Sequence, residues 1–233
     1  MSILLQNLKL AFRQLRRNPS FASVAILIMA LGIGANTAIF SVVHAVLLEP
    51  LPFRDADRLV QIWHVPPQTS FPGMTRFAIS AANFLDWQKQ NHVFDQMALY
   101  TGAGFDITGE GKSETVVAGS VSANFFSVLG IQPIQGRAFL PEEDQPGKNH
   151  EVILSYRFWQ SHYVLDPRVV GRTINLDGTP FLIVGVAGPK MNTPGFAQIW
   201  VPMGLTAAEA AIRGEHHFLS IARLKPGVTL SEA

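Results

Sequence analysis

The sequence predicts an α+β extracytoplasmic domain behind one N-terminal transmembrane helix, with a short amphipathic interfacial helix ahead of the span. Three observations predict it. Between Arg17 and Glu49 there is no Asp, Glu, Lys or Arg. The residues before that gap carry Lys9, Arg13, Arg16 and Arg17 and no acid. After it, short apolar runs alternate with short capped helical segments without a strict βαβ rhythm, the pattern of an α+β body. The chain therefore divides into a cytoplasmic amphipathic helix at 1–18, a transmembrane helix at 19–48 and an outer domain at 49–233.

Charge supports the same division. Across 233 residues, 18 bases stand against 17 acids for a net charge of +1. That near-neutral total combines a basic head, a neutral span and a body in which acids outnumber bases. A body of that sign does not suit nucleic acid, which is bound by clustered Lys and Arg. There is no cysteine, which excludes disulfides, thiolate metal sites and cysteine nucleophiles together.

In the head, Leu4, Leu8, Phe12 and Leu15 share one helical face, with Lys9, Arg13 and Arg16 opposite. Such a helix lies in the membrane interface. Asn18-Pro19 turns the chain into the apolar run from Phe21 to Leu48. At 1.5 Å per residue that run is about 42 Å long, enough to cross a bilayer that needs about 20 residues. A buried core helix of this length would carry a polar stripe, and this one does not. A cleaved signal peptide has an apolar region of about 7–15 residues and a small-x-small cleavage site; the run here is about twice that. Bases before the span and none just after it place the N-terminus in the cytoplasm and the body outside the inner membrane.

Within the span Ala30, Gly34 and Ala38 recur every four residues, with Gly32 nearby. A row of small residues lets another helix approach closely. Asn36 is polar deep in the hydrocarbon and is expected to face a protein neighbour, whereas His44 sits near the outer end. Ala30, Gly34, Asn36 and Ala38 are thus the expected helix-packing residues.

The body reads in order. Arg58 to Trp63 is a strand, and Ser80 caps a helix from Ala81 to about Gln90. Phe94–Tyr100 and Thr115–Val121 are strands around a Gly-rich hairpin at Gly109 and Gly111. Ser122 opens a short helix, Ala123 to Leu129, that Gly130 closes. Pro133, Gly136 and Pro141 hold the chain in turns up to the acidic run Glu142, Glu143, Asp144, which is expected to face water. Val152–Leu154 is a strand and Tyr156–Tyr163 a helix. Thr173–Leu176 and Phe181–Val186 flank Asp177-Gly178, a signal for a type I′ hairpin. Trp200–Pro202 and Leu219–Leu224 are the last strands. Thr229 to Ala233 looks like a helix start, and predicts that the chain is a piece of something longer.

No catalytic, cofactor-binding or metal-binding set is found. Gly111-Lys112-Ser113 resembles the end of a phosphate-binding loop, but Asp106 stands where the first glycine is required, and a strand follows rather than a helix. His216 and His217 are adjacent and diverge on either a strand or a helix, so they do not share a metal. Ser155 lacks the Gly-x-Ser-x-Gly frame of a nucleophile elbow.

An ordered set of motifs carries a family resemblance. Arg16-Arg17-Asn18-Pro19 leads into Ala30-Leu31-Gly32-Ile33-Gly34-Ala35-Asn36-Thr37-Ala38-Ile39-Phe40. That combination resembles the first membrane helix of ABC-transporter permeases of the MacB/FtsX type. Val121-Ser122-Ala123-Asn124-Phe125-Phe126, Leu129-Gly130 and Gly136-Arg137 are similar to the MacB-like periplasmic core domain. So are Leu154-Ser155-Tyr156 with Trp159, Asp166-Pro167 to Gly171, and Val184-Gly185-Val186. The resemblance implies one helix, a large outer domain and three further helices. It also implies a homodimer or a paired permease half, a cytoplasmic ABC ATPase that alone holds ATP, and a periplasmic adaptor or effector. The Asn36 to Phe40 wording resembles duplicated permeases encoded without a neighbouring ATPase.

Three function classes follow. The first is a permease subunit of a mechanically coupled ABC system, relaying ATPase motion to the outer domain for efflux or export. The second is a membrane-anchored signalling or regulatory module acting on an external partner. The third is a single-pass anchored enzyme.

Overall fold

The computed structural model describes residues 3–43, 52–109 and 114–233. The end of the expected span with His44, and the Gly111-Lys112-Ser113 stretch, lie outside the described residues. Two compact units are present, Met1–Leu51 and Pro52–Ala233.

The first unit holds α1, Ile3–Arg17, and α2, Pro19–Val43. Pro19 takes the first position of α2, where its missing N–H costs nothing and its fixed φ suits a helix start. From Pro19 to Ser41 the helix is long and apolar enough to cross a membrane, and its most apolar stretch is not buried by the rest of the chain. Ala30, Gly34, Asn36 and Ala38 are all exposed. A side chain built at Gly34 would meet none of the described residues within 4 Å.

The second unit is a mixed sheet with helices packed on it. Its strands are β1 (Leu59–Ile62), β2 (Phe94–Ile107), β3 (Glu114–Val121), β4 (Gln135–Gly136), β5 (Glu151–Leu154), β6 (Thr173–Leu176), β7 (Thr179–Val186), β8 (Ile199–Pro202) and β9 (Leu219–Leu224). Their order is β1-β9-β2-β3-β8-β5-β7-β4, with β6 pairing both β7 and β2. Among the described residues, only β3–β8 and β5–β7 are parallel pairs. Because β6 returns to β2 at Ile107–Leu176, the strands β2, β3, β8, β5, β7 and β6 form a ring.

Alternation along the strands builds two cores on opposite faces. Val152 and Leu154 of β5, with Ile199 and Val201 of β8, join Ile174, Leu176 and Ile183 in one cluster. Helix α5 (Tyr156–Tyr163) adds Phe158 and Trp159 to that cluster. Ile153 and Trp200, the intervening residues, enter the other cluster with Phe125, Phe126 and Leu129 of α4 (Phe125–Leu129). Every residue of β8 is buried, which is why the central strands read as unbroken apolar runs. A third cluster lies under α3 (Ala81–Gln90) and includes Ile79, Phe84, Met97 and Leu99.

Helix starts follow their caps. Ser80 Oγ accepts from Asn83 N at 3.4 Å, and Ser155 Oγ accepts from Phe158 N at 3.1 Å. Ser155 is therefore the N-cap of α5. Asp177 and Gly178 both take positive φ, 50° and 77°, as a type I′ turn between β6 and β7 requires. A short helix not foreseen in the sequence, α6 (Ala207–Ala211), starts at a capping box in which Thr206 and Glu209 bond reciprocally.

Two expectations are corrected. Strand β2 runs on to Ile107, because Thr101 to Asp106 pair with β3 in register despite Gly102 and Gly104. Helix α4 begins at Phe125, and Ser122 does not cap it. Ser122 Oγ instead accepts from Leu99 N at 2.9 Å and donates to Leu99 O at 3.3 Å.

Candidate functional site

The Ser122–Gly130 segment, read in the sequence as a short helix, lines part of an apolar cavity. Phe125, Phe126, Val128 and Leu129 are fully buried, which leaves Ala123, Asn124 and Ser127 to face outward. Asn124 Nδ2 donates to Met97 O at 2.9 Å, tying the start of α4 to β2. Gly130 ends the helix in the left-handed region at φ 70°.

The lining also includes Phe84, Leu85 and Gln88 of α3, and Met203, Leu205 and Ala210 around α6. Leu99 of β2 and Phe139 also line the cavity, whose volume is about 580 Å³. Its walls are mainly apolar, with Gln88, Ser127 and Gln132 at exposed positions. A space of this size with few polar groups suits an apolar or amphipathic guest.

Asp144 holds the cleft together. Its Oδ2 accepts from Ala123 N, ahead of α4, and its Oδ1 from Gly204 N, after β8, each at 2.8 Å. One carboxylate thus ties together the two segments that leave the neighbouring parallel strands β3 and β8, both of which line the cavity. The expectation that the acidic run faces water is overturned for two of its three members. Glu143 is buried and Asp144 half-buried, while Glu142 is exposed. The reason is that both carboxylates meet donors, Asp144 from backbone 21 and 60 residues away and Glu143 from Arg137 and Leu140 just before it, which a run of acids in a sequence does not reveal.

Glu143 accepts from Arg137 Nη1 and from Leu140 N, each at 2.8 Å, and its other oxygen bonds Arg137 Nη2. Burial pushes its carboxyl up, but the Arg137 bonds, the Leu140 N–H and the Arg137 charge together bring the pKa below the usual value. A depressed folded pKa gives stability that is complete above the unfolded value, about 4.3, and is lost as pH falls through the folded one. Glu151 acts in the opposite sense. Burial, with the charge of Glu143 second, raises its pKa, so its contribution is complete in acid and fades as pH climbs through the folded value. The urea midpoint of the wild-type chain is expected to drop between about pH 5 and about pH 3. Glu143→Gln should flatten that drop; an unchanged acid limb in the variant would rule the pair out as its cause.

The two histidines diverge as expected. The His216 ring packs edge-on against His64 with centroids 5.1 Å apart, whereas His217 lies over Phe218 at 4.0 Å. Among the described residues no group of three or more His, Cys, Asp or Glu is placed to hold a metal ion. In the sequence Phe84 reads only as apolar bulk of its helix, and the cleft residues Leu99, Phe139 and Met203 do not stand out. Each reads there as ordinary core, and only the approach of α3, α4 and α6 separates a lining residue from a buried one.

Comparison with known proteins gives three results. The family model described as the MacB-like periplasmic core domain matches residues 22–233. A curated relative, the macrolide export ATP-binding/permease protein MacB of Burkholderia thailandensis, is 28% identical over 104 residues. That alignment covers 43% of this chain but spans only 16% of the relative. Among solved structures, the periplasmic region of MacB from Actinobacillus actinomycetemcomitans aligns with a TM-score of 0.53 at 18% identity, covering 75% of this chain and 78% of the other. The extracellular domain of the noncanonic ABC-type transporter YknZ from Gram-positive bacteria aligns at 0.50 with 14% identity, covering 72% and 84%. At these identities the structures speak for the fold.

Proposed function

We infer the function from kinship: this chain belongs to the MacB-like periplasmic core domain family, whose model covers residues 22–233. In our reading it is a permease subunit of a mechanically coupled ABC transporter. Residues 19–48 cross the inner membrane and residues 49–233 work outside it, with the basic residues 1–18 in the cytoplasm. ATP is bound and hydrolysed on a separate cytoplasmic subunit. The motion of that subunit reaches the outer domain through α2 and a partner helix, from a second copy or a paired permease half. The outer domain then drives efflux or acts on a periplasmic adaptor or effector. The chain itself is not an enzyme.

The observation that carries this reading is the family match that begins inside the apolar helix and runs through the body. The exposed row Ala30, Gly34 and Ala38, with Asn36 beside it, supports the relay. The open space around Gly34 among the described residues leaves room for a neighbouring helix to pack against this row. The test is to purify the chain from its native membrane in mild detergent and assay the complex for ATP hydrolysis. A co-purifying ATPase is expected, and Gly34→Leu should reduce its recovery by about tenfold, the loss of roughly 1.4 kcal/mol of helix packing. Absence of any ATPase from the native complex would count against both the transport and the ATP-coupled signalling versions. Full recovery with Gly34→Leu would reduce α2 to a plain anchor.

A further inference from the structure

Beside the apolar cleft, with which it shares Ser127, the body contains a second cavity of about 260 Å³ with a different chemistry. Three arginines line it, Arg54, Arg58 and Arg223, together with Asp55, Asp95 and Gln96. Arg223, on β9, is only 7% exposed. Its Nε donates to Val128 O at 2.8 Å and its Nη1 to Asp55 O at 3.2 Å. Its Nη2 is buried and has no partner. Across the β2–β9 pair, Gln96 is registered opposite Arg223, and Gln96 Oε1 is likewise buried without a partner. One small cavity therefore holds an unmet donor and an unmet acceptor, each costly to leave so.

The three arginines outnumber the two acids that line the cavity. Arg58 spends its Nε and Nη2 on Leu224 O, and its Nη1 is 3.6 Å from Asp55. Arg54 is 80% exposed and reaches the same Asp55 carboxylate at 3.8 Å, a loose pair that it can leave. Asp95, the other acid, is exposed. Burial, with the charge of Arg58 second, lowers the pKa of Arg223, although a guanidinium keeps its proton at neutral pH. A buried cation beside two others calls for an anion rather than for water alone.

We propose that this cavity binds a phosphate ester that also carries a hydrogen-bond donor, with Arg223 and Arg54 on the phosphate and Gln96 Oε1 on the donor. Guanidinium forks match phosphate oxygens with paired, charge-assisted hydrogen bonds. The donor is a hydroxyl or ammonium of the same ligand, and Asp95 and Asp55 favour the ammonium. Phosphoethanolamine has this chemistry, whether free or as the headgroup of a phospholipid. Arg54 and Arg58 are the first basic residues after the apolar span in the sequence, so on the membrane reading above the headgroup is the first source to test.

The experiment uses the full chain in a nonionic detergent and follows phosphorus NMR line broadening of added phosphoethanolamine, with inorganic phosphate in parallel. Saturable binding is expected, weaker by about tenfold in Arg54→Gln, a variant at an exposed side chain that leaves the fold intact. Gln96→Leu should narrow the preference for phosphoethanolamine over inorganic phosphate. Repeating the titration in nanodiscs separates the sources. Competition by phosphatidylethanolamine but not phosphatidylcholine assigns the headgroup, and undiminished binding assigns a soluble ester; either supports the site. No saturable binding in detergent or nanodiscs, or binding untouched by Arg54→Gln, would overturn it. Failure of the transporter reading alone leaves the detergent result unaffected.

Discussion

Asp144→Ala is expected to cost about 3–5 kcal/mol, because two charge-assisted hydrogen bonds to backbone N–H groups disappear at once, each worth about 1.5–3 kcal/mol. Ala123 N and Gly204 N both donate to this one carboxylate at 2.8 Å. The loss is also a loss of shape. The Ala123 and Gly204 segments leave the neighbouring strands β3 and β8 and both line the apolar cleft, so loosening them should let the variant bind apolar fluorescent probes more strongly. Urea unfolding of the chain, followed by tryptophan emission, measures the stability term, since Trp200 is fully buried beside this region. Asp144→Asn keeps one acceptor oxygen and should fall between the two. A value for Asp144→Ala within about 0.5 kcal/mol of wild type, the range of an ordinary surface change, would show that the bridge is incidental.

Gly136→Ala is expected to be as severe, at about 4 kcal/mol or more. Gly136 sits at φ 71°, which an L side chain enters only with strain. A Cβ there would overlap Val184 O and lie 2.9 Å from Gly185 Cα. These are backbone atoms of β7, so no rotamer change relieves the overlap. The partner side is equally tight: a Cβ on Gly185 would collide with Arg137 O. Gly147→Ala provides the control, with φ 78° but open space around the added atom. It should cost only the conformational strain, about 1–2 kcal/mol. The difference between the two variants, read from urea midpoints, isolates the close approach of β4 to β7. Equal losses would show that backbone strain alone explains Gly136.

These two residues mark the limit of what a sequence reader sees. Gly136-Arg137 stands out in the sequence as part of a family-like motif, yet its setting looks like a turn. The structure shows a two-residue strand whose glycine makes room for β7 and whose arginine holds buried Glu143. Asp144 is harder, since its two donors lie 21 and 60 residues away and nothing local points to either. By contrast α3, α5 and the β6–β7 hairpin were legible to the residue or nearly so. Ser80, Ser155 and Asp177-Gly178 each act on backbone groups within a few positions, and local chemistry needs no tertiary knowledge. The extension of β2 through Thr101–Asp106 was missed because Gly102 and Gly104 look like a loop until β3 is laid beside them.

By itself the sequence determined the apolar helix, the basic residues ahead of it, the α+β class of the body and most of its caps and turns. All of these depend on periodicity, charge and hydrogen bonds over a few residues. Only the tertiary structure decided the closure of the strand ring through Ile107 and Leu176, the apolar cleft and the arginine-lined cavity. Each is made by segments distant in the chain, and the free energy that joins them comes from burying surfaces whose partners no local pattern names. Arg223 shows the difference most clearly. In the sequence it is one base in a strand; in the fold it is a buried cation with one unmet N–H, beside two more arginines brought from the far end of the domain.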